Sequence, residues 1–192
     1  STCVDLEKFS PRLNINKSDF TLGYLGTVGT WYLFQETIYA FQALLKIIPD
    51  AKILIINKNE HNFIWKSLKK HNISMSSIEI ISASYDEVPD LIKRMDATVF
   101  FLKPLFSKQA SAPTKLGEFL ASGVPCLTND GVGDVSEIIQ SHNVGVTIND
   151  LSDTSITNGI KGLIELTKQE DIIIKCREAA LLKFSLEDGI GS

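Results

Sequence analysis

Six short apolar runs recur along the chain, separated by longer stretches whose apolar positions follow a helical period. The runs are Phe20 to Leu25, Ala51 to Ile56, Ile78 to Ile81, Ala97 to Leu102, Val124 to Thr128 and Val144 to Ile148. Unbroken aliphatic runs such as Ile53-Leu54-Ile55-Ile56 predict strands buried on both faces, as in a parallel sheet. Between them, Leu33 to Ile48 carries Ile38, Phe41, Leu44, Leu45 and Ile48 on one helical stripe, and Pro49-Asp50 stops it. Glu60 to His71, Asp86 to Met95, Thr114 to Ser122, Val135 to Ser141, Ser155 to Thr167 and Asp171 to Leu182 are the other predicted helices. Gly123 is the expected left-handed stop of the fourth. Strand–helix alternation with right-handed crossovers predicts an α/β fold: a Rossmann-like three-layer sandwich, about six parallel strands with helices on both faces. The polar segments Phe9 to Lys17 and Glu187 to Ser192 are expected to be loose.

Open α/β sheets bind ligands beyond the carboxyl ends of their strands, so the loops there carry the candidate chemistry. The first reads Gly26-Thr27-Val28-Gly29-Thr30. Its glycines fit a phosphate cradle at a helix start, and they fit a tight turn equally well. It is not a dinucleotide fingerprint: Gly23, Gly26 and Gly29 are three apart, and the second strand ends in Asn57-Lys58 instead of a carboxylate. No Walker A loop occurs. After the third strand, Ser84 or Asp86 is a candidate helix cap. Tyr85 is either a base-facing ring or a half-buried rim aromatic. After the fourth, the polar loop Lys103 to Ala112 leads into Pro113, which suits a first helical turn. The amides that follow are candidate anion donors, and Lys115 adds a cation where the helix field alone disfavours one. Glu118 stands at i+3 from Lys115, where a solvated ion pair is the bland alternative. The fifth loop, Asn129 to Glu137, is a second glycine-bearing strand-to-helix loop, which fits either a phosphate held on its amides or a plain turn.

Composition narrows the class. With 44% hydrophobic and 22% charged residues in a chain of 192, disorder and low complexity are excluded. The net charge of -4 gives no global basic footprint for nucleic acid. Three cysteines, far apart and odd in number, and three histidines without C-x-x-C spacing argue against a zinc site or a disulfide framework. Cys126, in an apolar run, reads as a buried small hydrophobe, and a reducing compartment fits. No apolar run reaches the roughly 18–20 residues of a membrane span.

Taken together and in this order, these segments resemble the C-terminal, donor-binding domain of family-4 (group 1) retaining glycosyltransferases of GT-B fold. The resemblance rests on Val4-Asp5-Leu6-Glu7-Lys8-Phe9, Tyr24-Leu25-Gly26, Asp86 to Ala97, Gly131 to Ile138 and above all Pro113 to Pro125. It implies a substrate, a nucleotide diphosphate sugar with UDP or GDP ahead of ADP, and no separate cofactor or metal. It implies that Glu118 takes hydrogen bonds from the ribose, and that Gly26, Thr27, Gly29, Pro113, Thr114 and Lys115 surround the diphosphate. Tyr85 would face the base, and Lys115 would be catalytic. Two departures stand out: Ala110 occupies the place of the family motif's first glutamate, and the first loop lacks the Arg and Lys of many relatives. Ser107, Gln109 or Ser111 are candidate substitutes for the former, and Lys103, Lys108 and Lys115 are candidate counter-charges for the latter.

The resemblance divides the chain into an interdomain lead-in at 1–17, a nucleotide-sugar-binding domain at 18–186 and a frayed end at 187–192. The expected protein is cytoplasmic, its full-length form a candidate for peripheral attachment to the inner membrane face, in bacterial polysaccharide or glycoconjugate synthesis. The acceptor, a sugar or lipid-linked glycan, would be met by an N-terminal domain outside this chain, so the fragment is expected to bind donor without turnover. The alternative is a degenerate, non-catalytic binding or scaffold module of the same fold. A nucleotide-sugar epimerase of another fold would need a Gly-rich fingerprint and a Tyr-x-x-x-Lys pair, and neither occurs.

Overall fold

The computed structural model describes residues 3–12, 19–29, 32–103, 111–131 and 134–185. In chain order the elements are β1 (Thr21–Leu25), α1 (Phe34–Ile47), β2 (Lys52–Ile56), α2 (His61–Lys70), β3 (Ile78–Ile81), α3 (Val88–Ile92), β4 (Ala97–Val99), α4 (Ser111–Ala121), β5 (Cys126–Asn129), α5 (Asp134–His142), β6 (Gly145–Ile148), α6 (Asp153–Thr167) and α7 (Ile172–Phe184). The six strands pair in parallel in the order β3-β2-β1-β4-β5-β6. The order reverses between β1 and β4, which opens a crevice at their carboxyl ends.

Alternation along each strand divides the core into two layers. Leu22 and Tyr24 of β1 and Ile53 and Ile55 of β2 pack under α1, α2 and α6 with Phe41, Ile64 and Ile160. Leu54 and Ile56 face the other way, toward Leu116 and Phe119 of α4, Ile139 of α5 and Ala180 of α7. Gly23 lies within β1 because a side chain there would strike Met95. Gly123 ends α4 at φ +75. Its N–H bonds the Leu120 carbonyl at 2.9 Å and the Val124 N–H bonds that of Phe119 at 2.9 Å, the double bond of a left-handed helix stop. Cys126 and Cys176 are buried, and burial pushes both thiols up. Among the described residues no helix is long and apolar enough to cross a membrane.

The amino-terminal segment departs from expectation. Phe9 is fully buried rather than loose. Arg177 donates to the carbonyls of Phe9 at 2.6 Å, Leu6 at 2.7 Å and Ala121 at 3.0 Å, which ties the segment to the end of α4. Polarity of the stretch hid this, because the tie is to backbone oxygens that any sequence supplies. Residues 13–17 and 187–192 lie outside the described residues.

Candidate functional site

A cleft of about 650 Å³ opens beyond the carboxyl ends of β1, β2 and β3 against the start of α4. That is within the size range of small-molecule sites. Gly26 and Thr27, Asn57 to Asn59, Tyr85, and Thr114, Lys115 and Glu118 line it. So the structure brings the loops after three strands and the motif helix to one place. Gly29 is not among its lining residues, and a Cβ there would lie 3.6 Å from the Glu60 carboxylate.

Glu118 sits about two turns into α4 and is only 7% exposed. Among the described residues no hydrogen-bond donor or ion-pair partner reaches its carboxylate. Burial pushes its pKa up to about 7, against the opposing field of Lys115. The solvated Lys115–Glu118 pair that the spacing allowed does not form. Lys115 turns instead to Tyr32, donating from Nζ to Oη at 2.6 Å with Nζ 3.9 Å from the ring centroid.

Gly26 makes room for that lysine. It sits at φ +131, and a Cβ there would collide with the Lys115 ammonium. The first loop is pinned from below by side chains that sequence reading missed. Asn57 donates from Nδ2 to the Gly26 carbonyl at 2.9 Å and to Glu60 at 2.7 Å, and Glu60 accepts the Val28 N–H at 3.1 Å. The Gly26 N–H bonds the Ile56 carbonyl at 3.0 Å. Two of the loop's amides are therefore spent on its own shape. The signal was present as Asn57 and Glu60 three apart at a strand end, an arrangement that favours local side-chain-to-backbone bonds.

The motif helix begins at Ser111, earlier than the predicted Thr114. Pro113 then falls within the first turn, where its missing N–H costs nothing. The Lys115 N–H falls inside the helical ladder, so Lys115 acts in the cleft through its side chain. The side chains of 111–113 lie outside the described residues, as do Ser107, Lys108, Gln109 and Ala110. Lys103 is exposed and lines a separate groove beside Phe63.

At the β3 end, Ser84 rather than Asp86 organises the turn. Its N–H and hydroxyl donate to Glu87 at 2.8 and 2.7 Å, and these bonds hold the Glu87 pKa down. Asp86 pairs with Lys8. Tyr85 is 56% exposed, with Lys8 Nζ 4.2 Å from its centroid and the Phe9 ring 5.8 Å away edge-on. At the β5 end, Asn129 clamps Leu102, accepting its N–H at 2.9 Å and donating to its carbonyl at 2.9 Å. Val132 and Gly133 of the fifth loop lie outside the described residues.

A second cavity, about 400 Å³, lies at the amino ends of β1, β4 and β5, between Asp96, Gly123, Pro125 and Ile173. Arg12 meets Asp96 there at 2.9 Å, and Asp19 meets Lys52 at 2.9 Å. Glu170 on its rim is exposed, unlike the buried Glu118 of the first.

The family model for glycosyl transferases group 1 matches residues 5–178. This chain belongs to the group 1 glycosyltransferases. A comparison with curated proteins gave no significant match. Among solved structures, the C-terminal domain of a glycosyl transferase group 1 family protein, LpcC, from Francisella tularensis is 20% identical with a TM-score of 0.72, over 95% of this chain and 99% of that one. Sucrose-phosphate synthase from Thermosynechococcus elongatus is 14% identical with a TM-score of 0.72, over 97% of this chain and 48% of that one. HepE from Anabaena, solved with UDP and glucose, is 13% identical with a TM-score of 0.72, over 97% of this chain and 52% of that one. The chain thus spans about half the length of the last two, and the group 1 glycosyltransferase domain has the fold they share.

Proposed function

We propose that this domain binds the donor of a retaining glycosyltransferase, a nucleotide diphosphate sugar, in the cleft between the first loop and α4. One observation carries the reading. Glu118 is a buried carboxylate that no donor among the described residues reaches, set in a cleft beside a lysine. Such a group is costly to the fold unless a ligand pairs it. The two adjacent hydroxyls of a ribose are donors that a carboxylate oxygen pair accepts. The Anabaena structure with UDP and glucose lends support by fold likeness.

In this reading Lys115 and the open amides of the first loop face the diphosphate, and Tyr85 offers its exposed ring to the base. As the anomeric bond breaks, negative charge builds on the departing diphosphate. The Lys115 ammonium, already held in place, opposes that charge without reorganising. A second domain supplies the acceptor hydroxyl, and the sugar moves with retention. A cytoplasmic role in polysaccharide or glycoconjugate assembly belongs to the same proposal, with UDP or GDP as the nucleotide. Ala110 favours one other reading, a domain that binds donor without transfer.

Calorimetric titration with UDP, GDP and ADP tests the proposal. At least one binds with a Kd below about 1 mM. Absence of binding by a folded domain to all three at that concentration would overturn it.

A further inference from the structure

The Lys115 ammonium does not stand alone at the mouth of the first loop. Tyr32 Oη accepts from it at 2.6 Å. Having accepted that bond, the Tyr32 hydroxyl still has its own proton to give. Among the described residues no protein acceptor takes it, and Tyr32 lines the same cleft as Gly26, Thr27 and Lys115. A hydroxyl that accepts from a cation is polarised into a stronger donor. The pair therefore presents two donors to one point: the remaining N–H groups of Lys115 and the O–H of Tyr32.

Tyr32 is also firmly held. It is 9% exposed. Its backbone forms an antiparallel bridge with Leu102, which Asn129 clamps in turn. Its ring meets Tyr24 edge-on at 6.4 Å, and the Tyr24 hydroxyl donates to the Thr27 carbonyl at 2.5 Å. The ring, the first loop and the lysine are thus positioned by one packed set. The loop carries neither Arg nor Lys from Gly26 through Tyr32, so positive and hydrogen-bonding character there has to come from elsewhere.

We infer that Tyr32 is a diphosphate-binding residue, its hydroxyl donating to a phosphate oxygen of the nucleotide while it orients the Lys115 ammonium toward the same group. The inference rests on the donor-binding reading above and adds a contact which that reading does not contain. It makes a split prediction: the contact reaches the diphosphate and not the nucleoside.

The test is a paired titration of the wild-type chain and Tyr32→Phe with UDP and with uridine (or with GDP and guanosine, or ADP and adenosine, whichever nucleotide the wild type binds). The ring and its packing survive this substitution, and only the hydroxyl is lost. The expected result is a Kd for the nucleoside diphosphate raised about tenfold, the size of one hydrogen bond to a charged group, with the nucleoside unchanged. Lys115→Met raises the same Kd, and adding Tyr32→Phe to it raises it by less than tenfold further, because the two act as a unit. Unchanged nucleoside diphosphate affinity in Tyr32→Phe overturns the inference. So does an equal loss for both ligands, which marks a merely structural role. Loss of fold in Tyr32→Phe overturns it too, since a hydroxyl bonded only to Lys115 cannot hold the core. If the wild type binds none of the nucleotides, the donor reading itself fails, a result distinct from a failure of Tyr32 alone.

Discussion

Replacing Lys115 by alanine in a protein that joins this domain to its acceptor-binding partner lowers sugar transfer by about 10²–10³-fold, the cost of one preorganised charge donor at a leaving group. Gly26 has no side chain where the ammonium sits, and Tyr32 holds the ammonium at 2.6 Å. An ammonium already in place meets developing charge without first being gathered from solvent. Because the loss is made in the transition state, kcat falls more than donor affinity does. Steady-state kinetics of the variant, with donor binding measured separately, check this. A kcat within threefold of the wild type would remove Lys115 from the reaction. Gly26→Ala leads to a similar outcome by a different route, since it displaces the lysine and strains the loop.

The second large effect is at Glu118. Its alanine variant binds nucleotide about 1–3 kcal/mol more weakly, the scale of hydrogen bonds to a charged group. The pH dependence is more telling. Burial raises the Glu118 pKa to about 7 in the free protein, while ribose hydroxyls donate to the ionised form. Binding therefore releases a proton near neutrality. Affinity for a nucleotide diphosphate sugar, whose phosphates do not titrate in this range, rises roughly tenfold from pH 6 to pH 8. Glu118→Gln flattens that slope. The same shift has a consequence for stability, with its own sign. The folded pKa lies above that of the unfolded chain, so the folded form holds the proton more tightly. Stability in the absence of ligand falls as pH rises from about 4.5 to about 7, and remains lower above. Glu118→Gln relieves a cost of roughly 3 kcal/mol at pH 8. Denaturant unfolding of both forms at pH 5 and pH 8 reads this directly, and equal pH dependence in the two would contradict it.

Much of this was legible along the chain because burial on both faces of a parallel sheet leaves uninterrupted aliphatic runs. Ile78–Ile81 matches its predicted run residue for residue. β4 stops at Val99, three residues short of the predicted Leu102. The hydrophobicity of Phe100, Phe101 and Leu102 is used instead for packing and for the bridge to Tyr32. Glu118 and Lys115 stood out by spacing, yet spacing could not tell an exposed ion pair from an unpaired buried carboxylate. That distinction depends on Tyr32, 83 positions away, which draws the lysine aside. Asn57 and Glu60 escaped notice for a similar reason. Their work is done on the backbone of Gly26 and Val28, across the gap between two strand ends. Arg177 illustrates the longest reach, fixing Leu6 and Phe9 from the last helix.

The central claim is that the cleft around Glu118 is the donor site. Amide NMR of the chain during titration with UDP, repeated with GDP and ADP, tests it most directly. The account predicts that a nucleotide shifts the amides of Gly26, Thr27, Asn57, Lys58, Tyr85, Lys115 and Glu118, and leaves those of Asp96, Gly123 and Ile173 at the amino ends of the strands unmoved. Shifts gathered at those amino ends, or none anywhere at millimolar nucleotide, would contradict it.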